Sequence, residues 1–110
     1  TADRVAAETG GVLIHPYDNP DIIAGQGTVA LELLAEVATL DAIITPVGGG
    51  GLLSGVCIAA KGVNQDVRVF AGEPLGASDA ARSLAAGELL ANDGVDTIAD
   101  GLRTNLGHLT

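Results

Sequence analysis

Four consecutive glycines, at residues 48–51, limit the possible folds of this chain more than any other feature. They stand between residues 41–44, an apolar, isoleucine-containing segment typical of a buried parallel strand, and residues 52–61, an apolar segment long enough for a helix. Glycine loses more backbone entropy on folding than any other residue, so four in a row need a reason. Without a Cβ, several backbone N–H groups can converge on one anion, and the following helix N-terminus adds unpaired donors and partial positive charge. The sequence therefore predicts a phosphate-binding turn.

The glycine spacing does not fit either of the two common nucleotide-binding loops. A P-loop requires Gly-Lys followed by Ser or Thr, but Leu52 follows Gly51. A dinucleotide fingerprint that started at Gly48 would need a third glycine where Leu53 stands. One feature favours a nucleotide, because Glu73 follows the next apolar strand at about the place of a ribose-binding acid. A small Rossmann-like nucleotide-binding module therefore remains an alternative, and so does a tight turn without a ligand.

Predicted strands and helices alternate along the chain. Helices are predicted at residues 3–9, 29–37 with Thr28 as N-cap, 52–61 and 76–90, and strands or extended segments at residues 12–14, 41–44, 67–72 and 95–99. Repeated strand–helix units predict a parallel sheet with right-handed crossovers. The expected fold class is thus α/β, a three-layer Rossmann-like domain with a short parallel sheet flanked by helices. Because only Tyr17 and Phe70 are aromatic, the core must consist of Ala, Val, Leu and Ile.

Charge and composition exclude several classes of partner. The net charge is −9, from 14 acidic and 5 basic residues, which argues against nucleic acid and against an anionic membrane surface. No apolar run reaches the roughly 20 residues that span a bilayer, and no signal peptide is visible, so the expected compartment is the cytoplasm. Cys57 is the single cysteine, which excludes an internal disulfide and predicts a buried, inert thiol.

The motifs together resemble one enzyme family. Residues 47–55 resemble the tetraglycine phosphate loop of fold-type II pyridoxal-phosphate enzymes, in the serine/threonine dehydratase (threonine ammonia-lyase) and serine racemase family. Three other stretches match in the family's order: His15-Pro16 before residues 23–28, then Gly72-Glu73-Pro74, then residues 97–101. The resemblance covers essentially the whole chain and is to the middle of such an enzyme. Residues 1–110, which lack an initiator methionine, are therefore expected to be a single partial domain, the cofactor-phosphate-binding part of the large domain.

The resemblance implies a cofactor, a substrate class and a reaction. Pyridoxal 5'-phosphate would be held through its phosphate by Gly48, Gly49, Gly50, Gly51 and Leu52. Gly101 would lie against the cofactor ring. The intact enzyme would act on a small amino acid, L-serine or L-threonine, either by β-elimination to a keto acid and ammonia or by racemisation.

No catalytic residue is predicted within this chain. The cofactor requires a lysine that binds it covalently, and the only lysine is Lys61. Nine helical residues at 1.5 Å each would place Lys61 about 14 Å from the phosphate end, too far for that role. His15 stands beside a proline in a loop, where a solvated or backbone-bonded histidine is commoner than a catalytic one. The chain is expected to be inactive alone, and a non-catalytic fragment is a further alternative.

A divalent cation site is suggested by two carboxylates. Glu73 and Asp79 are six residues apart after the predicted third strand, and with a loop carbonyl they would suit Mg²⁺ or Ca²⁺. The alternative is that Asp79 only favours its helix N-terminus while Glu73 is solvated. The resemblance favours the metal, because the serine racemase branch binds a cation through residues that match Glu73, the Ala77 carbonyl and Asp79.

A homodimer is the expected assembly. Apolar helix faces and a sheet edge would be exposed in a chain that lacks the flanking parts of its parent fold. A second copy could cover those surfaces around a two-fold axis.

Overall fold

The computed structural model describes residues 1–37 and 39–110. Within those residues the chain forms four α-helices, two strands and one short 3₁₀ helix: α1 (Ala2–Thr9), α2 (Pro20–Glu36), β1 (Ala42–Pro46), α3 (Gly51–Val63), β2 (Arg68–Gly72), α4 (Asp79–Ala86) and the 3₁₀ helix Asp100–Leu102. β1 and β2 pair in parallel, from Ala42 opposite Arg68 to Pro46 opposite Gly72, and α3 is the crossover between them. The predicted α/β class, with a short parallel sheet flanked by helices, is confirmed.

The core lies where α2 and α3 pack on the sheet. Its buried members are small or β-branched: Ala30, Ile43, Val56, Ala60 and Val67. No large aromatic side chain is needed because the two helices approach closely at glycines. A Cβ added to Gly55 would lie 2.3 Å from the carbonyl oxygen of Ile23 and 2.6 Å from the amide nitrogen of Gly27. The absence of side chains at these two positions therefore sets the distance between the helices.

α2 begins well before the predicted start, so the prediction of Thr28 as N-cap is wrong. The cap is Asn19, whose side-chain oxygen accepts the amides of Asp21 and Ile22, with Pro20 in the first helical position. Thr28 lies inside the helix, where its hydroxyl donates to the carbonyl of Gly25. The glycines at this point indicated a loop from sequence alone, whereas Gly27 serves the packing of α2 on α3.

The helix boundaries elsewhere follow the glycines. α1 ends at Gly10, with φ of 71°, as predicted. The prediction that the fourth helix reaches Leu90 is wrong, because α4 ends at Ala86 and Gly87 adopts a left-handed φ of 74°. α4 also begins at Asp79 rather than at residue 76.

Two predicted strands are absent from the described residues. Residues 12–14 form no helix or strand, and Val12, Leu13 and Ile14 are exposed. Residues 95–99 form no strand either. Apolar, β-branched sequence favours an extended conformation, but a strand also needs a neighbour to accept its backbone hydrogen bonds. Within residues 1–37 and 39–110, the sheet contains β1 and β2 alone. In the described part of the chain, no helix is both long and apolar enough to cross a membrane.

Candidate functional site

The glycine segment forms the connection between β1 and α3, as predicted. Val47 is buried, and its amide donates to the carbonyl of Gly72 at 3.0 Å, which ties the start of the connection to the end of β2. Gly50 is the N-cap of α3 and has φ of 91°, a conformation that a residue with a side chain rarely adopts. The amide of Ser54 donates to the carbonyl of Gly50 at 2.9 Å, the first bond of the helix.

The amides of this connection form a row of free donors. In residues 1–37 and 39–110, no backbone or side-chain acceptor bonds the N–H groups of residues 48–53. Gly49, Gly50 and Gly51 are buried. Buried amides without partners are costly and rare, so such a row points to an acceptor that the protein chain itself does not provide. An anion at a helix N-terminus is the ligand that this geometry suits.

Tyr17 covers one side of the glycine connection, and sequence reasoning missed it. A Cβ added to Gly49 would come within 2.2 Å of the Tyr17 ring, and one added to Gly51 would lie 2.9 Å from the Tyr17 carbonyl oxygen. His15 supports Tyr17, since the two rings meet edge to face with centroids 4.6 Å apart. The His15 Nδ1 accepts the amide of Asp18 at 2.9 Å, so His15 has a structural role here. The signal that could have found Tyr17 is that it is one of only two aromatic residues.

Residues 101–110 cover the other side. A Cβ on Gly48 would lie 2.9 Å from the carbonyl oxygen of Gly101, so the structure brings these two predicted site residues together. A Cβ on Gly50 would lie 2.6 Å from the Oγ1 of Thr110. The Thr110 hydroxyl in turn lies 2.8 Å from the Gly49 carbonyl oxygen. All four glycines therefore lie so close to other parts of the chain that a side chain would fit only if a neighbouring group moved.

An open cleft of about 830 Å³ extends from this connection to α4. Its lining includes Gly50, Leu53 and Thr110 at one end, Glu73 after β2, and Leu84 on α4. Small-molecule sites usually have volumes of about 300–1,000 Å³. The cleft is thus large enough for a cofactor, and two of the residues with free amides, Gly50 and Leu53, line it.

The three predicted metal ligands lie close in sequence around the start of α4, and the two carboxylates among them already accept hydrogen bonds. The Glu73 carboxylate accepts the amides of Ala80 at 3.1 Å and Ala81 at 2.8 Å, which makes it a cap of α4. Asp79 is only 1% exposed, and accepts the Asn92 side-chain amide and the Leu106 backbone amide, each at 2.9 Å.

Glu73, Asp79 and the Ala77 carbonyl still offer oxygen atoms of the kind that bind Mg²⁺ or Ca²⁺. A carboxylate oxygen with one N–H partner keeps a second lone pair, and Ala77 contributes a backbone carbonyl. The described residues contain no group of three or more His, Cys, Asp or Glu side chains arranged to hold a metal. Both Glu73 oxygens bond amides in the first turn of α4, so the carboxylate is directed at that helix.

Lys61 and Cys57 lie on α3, away from its N-terminus. The Nζ of Lys61 donates to the carbonyl of Gln65 at 2.8 Å, in the last turn of the helix. Lys61 therefore lies at the end of α3 opposite the glycines, where the helical pattern predicted it. Burial raises the pKa of the Cys57 thiol above its ordinary value, with Lys61 acting weakly in the other direction. A raised pKa keeps the thiol protonated and unreactive.

Comparison with known proteins gives matches along nearly the whole chain. A family model described as "Pyridoxal-phosphate dependent enzyme" matches residues 1–109. A serine racemase of Oryza sativa subsp. indica is 55% identical over 109 residues, which are 99% of this chain and 32% of that protein.

Two solved structures extend the likeness to the fold. The maize serine racemase structure matches with a TM-score of 0.95 and 55% identity over 98% of this chain and 33% of that one. The structure of a T.th. threonine deaminase matches with a TM-score of 0.93 and 47% identity, covering 97% of this chain and 41% of that one. The chain spans about a third of the length of the curated relatives it matches.

Proposed function

The chain belongs to the family of pyridoxal-phosphate-dependent enzymes, and from this premise we propose that it binds the phosphate group of pyridoxal 5'-phosphate for an enzyme that transforms a small amino acid. The observation that carries the proposal is the row of free amides at residues 48–53, of which Gly50 and Leu53 line an open cleft. With a net charge of −9, the chain cannot attract an anionic cofactor by its overall charge. Local backbone donors are the means that remain.

Within this proposal each glycine has a defined task. Gly48, Gly49, Gly50 and Gly51 donate their amides to the phosphate, and Leu52 adds the next amide of the α3 N-terminus. Gly101, whose carbonyl lies beside Gly48, would contact the cofactor ring. Because none of these groups gains or loses a proton, their role is to hold and orient the cofactor.

The reaction of the whole protein is inferred from its relatives. We infer β-elimination or racemisation of L-serine or L-threonine, supported by similarity to serine racemases and to a threonine deaminase. When bound, the cofactor supplies an electron sink for the carbanion that forms at the amino acid's α-carbon. Residues 1–110 would be a single partial domain, the cofactor-phosphate-binding part of the large domain. The chain's only lysine, Lys61, lies in the last turn of α3 and donates to the Gln65 carbonyl, so we assign no catalytic residue.

Binding of the cofactor to purified protein tests the main proposal. Titration with pyridoxal 5'-phosphate, followed by its absorbance, should saturate, and inorganic phosphate should compete. Gly50→Asp should abolish binding, since it places a carboxylate among the phosphate donors. Gly10→Asp is the matched control, because Gly10 also has a left-handed φ (71°) but no neighbour within 4 Å. Equal binding by both variants would refute the phosphate site.

A divalent cation at Glu73, Ala77 and Asp79 is a second proposal, independent of the first. Mg²⁺ or Ca²⁺ would take carboxylate oxygens and the Ala77 carbonyl. Ligand binding to the folded state raises the melting temperature, so millimolar Mg²⁺ should stabilise the protein and chelator should reverse the effect. Glu73→Gln should abolish the shift, whereas Glu36→Gln, on the exposed end of α2, should keep it. Stability that does not respond to cation would leave Glu73 and Asp79 with capping roles only.

We further propose a homodimer located in the cytoplasm. Exposed apolar side chains support self-association, among them Ile44 at 75% and Phe70 at 47% exposure on the two strands. A protonated single cysteine suits a reducing compartment. Sedimentation equilibrium at micromolar concentration would give the mass of a dimer, and a stable monomer would contradict the assembly.

A further inference from the structure

We propose that Asp18 is a positioning residue that acts through residues 107–109 to fix the peptide group between Gly49 and Gly50. The inference rests on the proposed phosphate site for its purpose, since the Gly50 amide is one of the proposed donors. Asp18 does not itself face the phosphate. It bonds residues 107–109, and this segment contacts the glycine connection.

The first step is the contact between Asp18 and residues 107–109. The Asp18 Oδ1 accepts the amide of Leu109 at 2.8 Å, across 91 positions of sequence. A Cβ added to Gly107 would lie 2.6 Å from the same Oδ1. The backbone of this turn therefore lies directly on the carboxylate, and only glycine at 107 permits so close an approach.

The second step joins the turn to the glycine connection. The Gly107 amide donates to the carbonyl oxygen of Gly49 at 3.0 Å. The Thr110 hydroxyl lies 2.8 Å from the same oxygen. A carbonyl oxygen has two lone pairs, so these two donors leave the Gly49 carbonyl little freedom to rotate.

The third step is the consequence for the next amide. A peptide group is planar and trans, so the N–H of Gly50 points opposite to the carbonyl of Gly49. Holding the Gly49 carbonyl toward residues 107–110 therefore aims the Gly50 amide away from them. Glycine at both positions would otherwise allow this peptide to turn over at little steric cost. Two glycines in sequence allow this peptide group either orientation, and Asp18 selects one of them.

Asp18 is also joined to the other side of the site. Its amide donates to His15 Nδ1 at 2.9 Å, and its neighbour Tyr17 lies against Gly49 and Gly51. One residue therefore links Tyr17 on one side of the glycines with residues 107–110 on the other. A role limited to its own turn would not require a bonding partner so distant in sequence.

Amide hydrogen exchange in the 110-residue chain, without ligand, tests the positioning role directly. In Asp18→Ala the Leu109 and Gly107 amides should exchange at least about tenfold faster, because the carboxylate accepts the Leu109 amide and holds the segment that carries the Gly107 amide. Asp18→Asn keeps an oxygen that can accept Leu109 and should restore most of the protection. Asp66→Ala, an exposed aspartate in the turn before β2, is the matched control and should change nothing. Unchanged protection of Gly107 in a folded Asp18→Ala protein overturns the proposal.

The affinities for inorganic phosphate and for pyridoxal 5'-phosphate provide a second test of the positioning role of Asp18. Asp18→Ala should weaken both by about tenfold, and Asp18→Asn by less. If Asp18→Ala does not fold, Gly107→Ala breaks the same contact from the other side and should weaken binding equally. Wild-type affinity in either folded variant overturns the inference. If the wild-type protein binds no phosphate, the proposed function fails, while the exchange of Gly107 still decides the role of Asp18.

Discussion

Two groups of glycines in this molecule require the absence of a side chain for different reasons. At the contact between α2 and α3, a Cβ on Gly55 would meet backbone atoms, the Ile23 carbonyl at 2.3 Å and the Gly27 amide at 2.6 Å. At the connection between β1 and α3, a Cβ on Gly49 would meet the side chain of Tyr17 at 2.2 Å. A side chain can rotate away, whereas a helix backbone moves only if the whole helix moves.

The two groups of glycines also differ in whether the backbone donors around them have hydrogen-bond partners. Gly27 and Gly55 lie within regular helices, where backbone donors have partners four residues away. The donors of residues 48–53 have no partner within the described part of the chain. The first group therefore stabilises the fold, while for the second group we propose a role in ligand binding, and the effects of mutations should separate accordingly.

The largest effect is expected from Gly55→Ala. The added methyl group cannot fit between the two helices, so the free energy of unfolding should fall by about 3 kcal/mol and the melting temperature by more than about 10 °C. Gly62→Ala is the matched control in the same helix, since nothing lies within 4 Å of its Cβ position. It should raise stability by about 0.5–1 kcal/mol through better helix propensity. Thermal unfolding by circular dichroism measures both, and a stable Gly55→Ala protein would remove the distinction between the two glycine groups.

Gly49→Ala should give the converse result. Tyr17 can rotate to admit the methyl group, so the melting temperature should fall less than in Gly55→Ala. The phosphate site would be blocked on the side of Tyr17, and affinity for pyridoxal 5'-phosphate should fall by about tenfold or more. Isothermal titration and thermal unfolding on the same sample separate the two quantities. Equal losses of stability in both variants would mean that the connection also holds the fold together.

Thr45→Val should stabilise the packed region without affecting the ligand. Thr45 is 5% exposed on β1, and its hydroxyl has no hydrogen-bond partner among the described residues. Replacing an unsatisfied buried hydroxyl with a methyl group of similar shape should raise stability by about 1 kcal/mol and the melting temperature by about 4 °C. Phosphate affinity should stay at the wild-type value. A weakened affinity would show that the strand end also contributes to binding.

The smallest effect is expected from lowering the pH. It should change the structure around the glycine connection before it unfolds the helices. The Leu109 and His108 amides hold the pKa of the Asp18 carboxyl below its ordinary value of 3.8, and the nearby His108 and His15 charges act in the same direction. Because the folded-state pKa is lowered, the stabilisation is present above 3.8 and is lost as the pH falls below it. Fluorescence of Tyr17, the only tyrosine, should therefore change in that range before the helical circular dichroism does. Asp18→Asn cannot titrate and should remove the early change, whereas coincident transitions in the wild type would contradict this order.

Sequence by itself determined the parts of this protein that depend on neighbouring residues. The strand–glycine–helix unit at residues 41–61 follows from local apolar patterning and from the flexibility of glycine, and the structure matches it closely. α1 ends at Gly10 as predicted, since a left-handed cap needs only a glycine in place. The family and its cofactor follow from short motifs and their order along the chain, and each motif consists of neighbouring residues.

Only the tertiary structure decided which contacts those local elements make. Gly27 indicated a loop until the close approach of α3 explained why a helix contains glycine there. Residues 12–14 have a strand sequence but, in the part of the chain that the structure describes, no strand pairs with them. Tyr17 and Thr110 contact the glycine connection from distant parts of the chain, and Asp18 bonds a segment that contacts it. No spacing rule could have identified these residues. The physical reason is that local propensity depends on a few adjacent residues, whereas packing and hydrogen-bond partners depend on where the folded backbone brings remote ones.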